Sequence, residues 1–279
     1  MREDQRRRAR SLLSRSEFLE LVSVLEGIKP GMRLCCTGEQ LADITELLGQ
    51  MGLFASESPY AVENRIATGG VVHTSRLVRR VPGREDLRFV YIGPDRLIIG
   101  LLKAFDMKDD RRFGLSLGYP ECCVDFFAKT FSTTNCFDLV PKIGLRNARG
   151  YNPLLNSACR HFDYRLLSHF PCSWDCEFSD KIARGTLEAL RRHDAELARE
   201  TLYWLETDVV YSPQVVIAVK DSPKKGRALS LRKGAYQVTG KFEADTVSFE
   251  KEAALLMKGG QVLVELMPYQ WLPFQSERF

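Results

Sequence analysis

Two short segments set thiols where a metal, a redox partner or a nucleophilic reaction can use them. They are Gly118-Tyr119-Pro120-Glu121-Cys122-Cys123 and His169-Phe170-Pro171-Cys172-Ser173-Trp174-Asp175-Cys176. Proline suits the first position of a helix, because the N–H it lacks would be unpaired there. With Pro120 in that position, Cys122 and Cys123 fall in the first turn. Free N–H groups and the helix dipole favour a thiolate there. Pro171 is expected to open a similar turn, with Cys172 and Cys176 four residues apart and so on one helical face. His169 stands just outside it. If the two turns fold together, they form a pocket for a metal thiolate centre or an anionic substrate.

Several chemistries fit these residues. Zinc would take His169 with three of Cys122, Cys123, Cys172 and Cys176. An iron–sulfur cluster would take the cysteines alone. No Cys-x-x-Cys pair is present, and adjacent cysteines rarely share one small zinc site, which tips the reading toward iron–sulfur. A metal-free thiol nucleophile or redox pair, and inert core cysteines, remain open. Tyr119, Phe127 and Trp174 are expected to line a substrate pocket beside the thiols. Glu121, Asp125, Asp175 and Asp180 flank them, and their plain role is to complement helix dipoles. Cys35 and Cys36 end an expected strand, where a buried position is the simpler reading. Cys159 and His161 are candidate outer groups, and Cys136 is a candidate further ligand. There is no Gly-x-Gly-x-x-Gly, Walker A loop, His-Glu-x-x-His or radical-SAM Cys-x3-Cys-x2-Cys triad.

The two motifs, running on through Val124-Asp125-Phe126-Phe127 and Glu177-Phe178-Ser179, resemble an uncharacterised family of archaeal and bacterial proteins with a domain of unknown function. The resemblance covers roughly residues 90–200. It implies that the four cysteines and His169 form one site. It implies no reaction.

The elements that must position these residues read as an α/β (α+β) fold. Ser14 with Glu17 and Thr37 with Gln40 fit capping boxes, ahead of apolar stripes Phe18-Leu21-Val22-Leu25 and Leu41-Ile44-Leu47-Leu48. A strand is expected over Arg33–Cys36. A hairpin is expected from 70–80 and 87–92 about a turn at 81–84. Pro94-Asp95 opens a helix carrying Leu97 to Phe105. The spacing predicts one long helix over 179–206, its apolar face interrupted by Asp194. Residues 1–208 read as an α/β domain, a mixed sheet with helices. Its segment 114–178 is a Cys-rich helical insert holding six of the eight cysteines. Residues 209–279 read as a small β-rich module, with a loop at 222–226 and a turn at Lys258-Gly259-Gly260-Gln261.

Composition bounds the function. The chain has 279 residues, 44% hydrophobic and 27% charged, with net charge +4. Its longest apolar runs fall far short of a membrane span, and no signal peptide is visible, so the cytoplasm is expected. The expected function is that of a metalloprotein using a thiolate-held iron–sulfur or zinc site for redox, sulfur-transfer or modification chemistry. Its substrate would be an unidentified small molecule or RNA, and enzyme status is left open. The alternative is a zinc-stapled module contacting nucleic acid through Arg6-Arg7-Arg8, Arg10 and the C-terminal strands.

Overall fold

A computed structural model describes residues 1–66, 72–78, 87–106, 108–134, 138–146, 150–212 and 215–220. It also describes the strands and short connections at 224–225, 228–231, 236–239, 244, 246–249, 253–266 and 269–272. Both capping boxes form. After α1 (Glu3–Leu12), α2 (Arg15–Leu25) starts at Ser14, whose Oγ accepts the Glu17 N–H while Glu17 accepts the Ser14 N–H. β1 (Met32–Cys36) runs into Thr37, which caps α3 (Gly38–Gln50) in the same way with Gln40. Each such cap contributes about 1 kcal/mol.

β2 (Phe54–Ile66), β3 (Val72–Val78) and β4 (Leu87–Gly93) complete a sheet of order β1-β4-β2-β3. All its pairings are antiparallel. β1 and β2 each oppose β4, so they run parallel to one another, joined through α3. The expected strand–helix unit is therefore present, with one strand inserted in it. The expected hairpin is not: β3 pairs with β2, which stands between it and β4. The 81–84 turn lies outside the described residues.

The two faces of this sheet bury different partners, as alternation requires. Met32, Leu34, Val90 and Ile92 join Phe18, Leu21, Leu47 and Leu48 in the main core. Phe89 and Tyr91 point the other way. They pack with Ile99 and Leu102 of α4 (Arg96–Phe105) and Phe113 of α5 (Asp110–Ser116).

The Cys-rich segment carries α6 (Glu121–Thr134), α7 (Val140–Arg146) and 3-10 turns at Pro153–Leu155 and Ser157–Phe162. The single helix expected next is two, α8 (Glu177–His193) and α9 (Ala195–Leu205). Asp194 makes the break. Its backbone leaves the helical region at φ −155°, and its Oδ1 accepts the Leu197 N–H at 2.9 Å. Read as a flaw in one helix, Asp194 is the N-cap of the next. α8 lies against α2, where the Ser23 and Thr186 hydroxyls meet at 3.1 Å in the core.

The C-terminal strands are β5 (Asp208–Tyr211), β6 (Val216–Val219), β7 (Lys224–Lys225), β8 (Ala228–Ser230), β9 (Tyr236–Val238), β10 (Thr246–Phe249), β11 (Ala254–Lys258), β12 (Gln261–Leu266) and β13 (Gln270–Leu272). They form two antiparallel sheets, β13-β5-β6-β9 and β12-β11-β10-β8-β7. Lys224 and Lys225, expected in a loop, pair with β8; residues 222, 223 and 226 lie outside the described residues. Gly259 and Gly260 supply the two positive-φ positions of the β11–β12 turn. Along β5 and β6, Val209, Tyr211, Val216 and Ala218 face the helices, while Val210, Ile217 and Val219 face the second sheet. The first of these sheets thus belongs to both cores. Among the described residues no helix is long and apolar enough to cross a membrane.

Candidate metal centre

The motif Gly118-Tyr119-Pro120 is a stop followed by a start. α5 ends in a Schellman arrangement: the Gly118 N–H bonds the Leu115 carbonyl and the Tyr119 N–H bonds the Gly114 carbonyl. Gly118 sits at φ +77°, where a side chain is disfavoured. A Cβ there would also meet Pro30 Cδ at 2.6 Å. Pro120 then opens α6 with its carbonyl accepting the Cys123 and Val124 N–H groups. Cys122 and Cys123 occupy the first turn as expected. Arg111 of α5 holds that turn by bonding Glu121 and, at 2.8 Å, Asp125.

The second motif behaves differently. Residues 171–176 form bends and a turn, not a helix. Cys172 and Cys176 therefore do not meet by helical spacing. The helix start on this side is that of α8, and Cys176 is its N-cap. Asn152 braces the loop by donating its N–H to the Trp174 carbonyl and its side-chain amide to Asp180.

These two helix starts converge. Cys122 Sγ lies 3.8 Å from both Cys123 Sγ and Cys176 Sγ, and Cys123 lies 3.7 Å from Cys176. With Cys172 added, all four sulfurs fall within 4.8 Å of one another and can hold a metal ion. A tetrahedral ion with metal–sulfur bonds of about 2.3 Å spaces its sulfurs about 3.8 Å apart. Cys123 and Cys176 are buried, Cys172 is half-buried and Cys122 faces outward.

Hydrogen bonds within the group favour a thiolate at Cys176 and disfavour one at Cys123. The Cys172 N–H donates to Cys123 Sγ at 3.3 Å, and Ser179 Oγ lies 3.2 Å from the same atom. Bonds from Cys123 and Cys172 hold the Cys176 thiol far below its usual range, against the opposing effect of burial. Cys123, bonded to Cys172 and Cys176 and buried, is pushed far up.

His169 lies one residue back from the sulfurs. Its Nε2 meets Ser179 Oγ at 2.9 Å, so it reaches Cys123 through that hydroxyl, and it is not one of the four close ligand groups. Burial, reinforced by the Lys29 charge, pushes it down to about 3, which leaves the imidazole neutral. Ser179 is fully buried and went unnoticed in the sequence, where it read only as a helix-start serine.

The remaining candidates separate. Cys35 and Cys36 lie at the end of β1, half-buried and buried, with burial raising both thiols, Cys36 to about 11. Cys159 is buried, raised to about 12 by burial, and donates to the Trp204 carbonyl. All three are core thiols. Cys136 lies outside the described residues. Glu121 and Asp125 pair with Arg111, and Asp180 pairs with Arg184.

A cavity of about 560 Å³ opens beside the quartet, with Cys123 in its wall. Tyr119 and Phe127 line it as expected. Trp174 does not; it is fully buried and stacks near Tyr151. Polar residues that the sequence reading passed over also line it. Arg33 bonds Asp106 at 2.5 Å, and Tyr91 donates to the same carboxylate. His161, read as an outer group of the thiols, instead pairs with Asp138 at 2.9 Å, and Tyr211 donates to Asp138 at 2.7 Å. Burial works to raise Asp138, but His161, the Tyr211 hydroxyl and the Arg160 charge outweigh it and hold the carboxyl at about 2.

No protein-family model matches this sequence, and comparisons with curated proteins and with solved structures find no match. The geometry of the site therefore carries the functional reading alone.

Proposed function

We propose that the quartet Cys122, Cys123, Cys172 and Cys176 holds a single tetrahedral zinc ion. In this reading the ion clasps α6, the 171–176 loop and α8 into one wall of the adjoining cleft. The observation that carries it is the 3.7–3.8 Å spacing of three sulfurs, which suits one ion of zinc–thiolate size. In a 4Fe–4S cluster each thiolate binds a separate iron, and in a 2Fe–2S cluster two bind each iron, so neither brings three cysteine sulfurs to one mutual tetrahedral spacing. The sequence objection to zinc was that adjacent cysteines rarely serve one ion. It loses force once Cys122 and Cys123 sit at tetrahedral spacing.

Four thiolates fill a tetrahedral shell, which is the pattern of a structural site. The centre then shapes the cleft and leaves reaction chemistry to the residues lining it. Nucleic-acid binding through the basic N-terminus gains little support. Arg2, Arg6, Arg7, Arg8 and Arg10 each have a carboxylate within 4 Å.

Metal analysis of anaerobically purified protein tests the reading. One zinc per chain is expected, along with a thiolate-to-cobalt charge-transfer band after Co(II) exchange that is lost in Cys176→Ser. A brown chromophore with several irons per chain, or no bound metal, overturns it.

A further inference from the structure

The cavity beside the quartet holds four carboxylates and three guanidinium groups, and most are already matched. Glu20 bonds Lys29, with Arg165 at 3.9 Å; Asp106 bonds Arg33; Asp138 bonds His161. Asp110 lies exposed in the first turn of α5, near Asp106 and Arg33. Arg160 is different. Among the described residues its side chain makes no ion pair and no hydrogen bond. It stacks on Phe170, whose ring centre lies 4.3 Å from Cζ, and feels the Asp138 and Glu20 charges only at longer range.

Such an arginine is poised to take an anion. Arg160 is half-buried, and a guanidinium drawn partly out of water gains from an anion or acceptors that replace the hydration it has lost. Burial lowers Arg160 to about 10, which still leaves it charged near neutral pH. Stacking on Phe170 fixes the plane of the group and leaves its five N–H donors free in a fork that matches an oxyanion. The volume is that of a small-molecule site. Tyr119, Phe127 and Phe170 supply apolar wall for the body of such a molecule.

We propose that this cavity is the binding site of a small organic oxyanion, a carboxylate or phosphate, received by the Arg160 guanidinium. The ligand's apolar portion lies along Tyr119 and Phe127, with the buried side of the metal centre at its edge. The site does not depend on whether the quartet holds zinc, iron or no metal.

Titration calorimetry with inorganic phosphate, phenyl phosphate and benzoate tests the site, with metal measured in each sample so that the two readings fail separately. At least one probe is expected to bind with micromolar to millimolar affinity. Phenyl phosphate against benzoate identifies the anion, and phenyl phosphate against inorganic phosphate reports the apolar wall. Arg160→Gln is expected to weaken the bound probe at least tenfold and Arg160→Lys less. The surface variant Arg7→Gln should bind as the wild type does. Phenylglyoxal labelling of wild-type protein, mapped by mass spectrometry, covers the case in which Arg160→Gln fails to fold: saturating probe must shield Arg160. Three outcomes overturn the proposal: no probe binds, folded Arg160→Gln binds as the wild type does, or Arg160 labels equally with and without probe.

Discussion

Replacing Lys29 by methionine isolates one buried charge. Lys29 and Glu20 are 5% and 9% exposed, and the ammonium bonds both Glu20 Oε1 and, at 2.7 Å, Ser168 Oγ. Methionine keeps most of the stem's volume. It leaves Glu20 buried with Arg165, 3.9 Å away, and the Ser168 hydroxyl as its remaining partners. Breaking a buried pair from one side costs about 3–5 kcal/mol. At about 2.1 cal/mol/K of unfolding entropy per residue, a chain of this length loses roughly 7 °C of Tm for a 4 kcal/mol penalty. The pH dependence gives a second reading. Burial works to raise the Glu20 carboxyl, but the Lys29 and Arg165 charges outweigh it and hold it below 4.5. The wild type therefore keeps this stabilisation in full above the unfolded carboxyl pKa of about 4.3 and loses it as pH falls through the lower folded value. In Lys29→Met burial prevails, and the carboxyl takes up a proton more readily folded than unfolded. The stability gap between the two proteins is thus widest near pH 7 and narrows toward pH 4. Glu20→Leu combined with Lys29→Met should cost less than Lys29→Met alone. Calorimetry and urea denaturation at matched metal content measure all three. A single variant within 1 kcal/mol of wild type at pH 7, or a gap that does not change with pH, refutes the reasoning.

Three further outcomes follow from the proposed metal centre and its supporting turn. Stripping the ion removes a cross-link between residues as much as 54 apart, worth about 4 kcal/mol of chain entropy, and chelator-treated protein should unfold at correspondingly lower urea. Ser179→Ala deletes the hydroxyl between Cys123 and His169 and should weaken metal binding about 10–100-fold in a chelator competition; unchanged affinity would make Ser179 a packing residue only. Gly118→Ala combines a left-handed backbone with a Cβ 2.6 Å from Pro30 and should cost at least about 2 kcal/mol by urea denaturation.

The local rules were readable and the long-range ones were not. Ser14, Thr37 and Asp95 cap helices because the cap is written within three residues of itself. The first Pro-Cys turn obeyed the same kind of rule. The second did not, because Pro171 fits a bend as well as a helix start. β2 was invisible: it carries Pro59 and polar residues, and its ladder to β4 shifts register between Glu57 and Ala61, around that proline. The order of the first sheet depends on β2, so the hairpin reading failed with it. That the four thiols belong together was legible from their two similar motifs. The matched cleft charges were not, because an arginine's burial is decided by elements far away in sequence. Arg160 follows Cys159 with no local sign that it turns into a cavity.

The two halves of the quartet are made at different times. Cys122 and Cys123 leave the ribosome 54 and 53 residues ahead of Cys176, which at ordinary synthesis rates is roughly 3–10 seconds. Through that interval the nascent chain displays a vicinal dithiol with no partners. Such a pair is open to oxidants and to any soft metal ion present. The arrival of the 172–176 loop both completes the site and ends this exposure. Synthesis that stalls between residues 124 and 171 would prolong the exposure, so the error to look for in protein made under oxidative stress is a Cys122–Cys123 adduct in an otherwise intact chain.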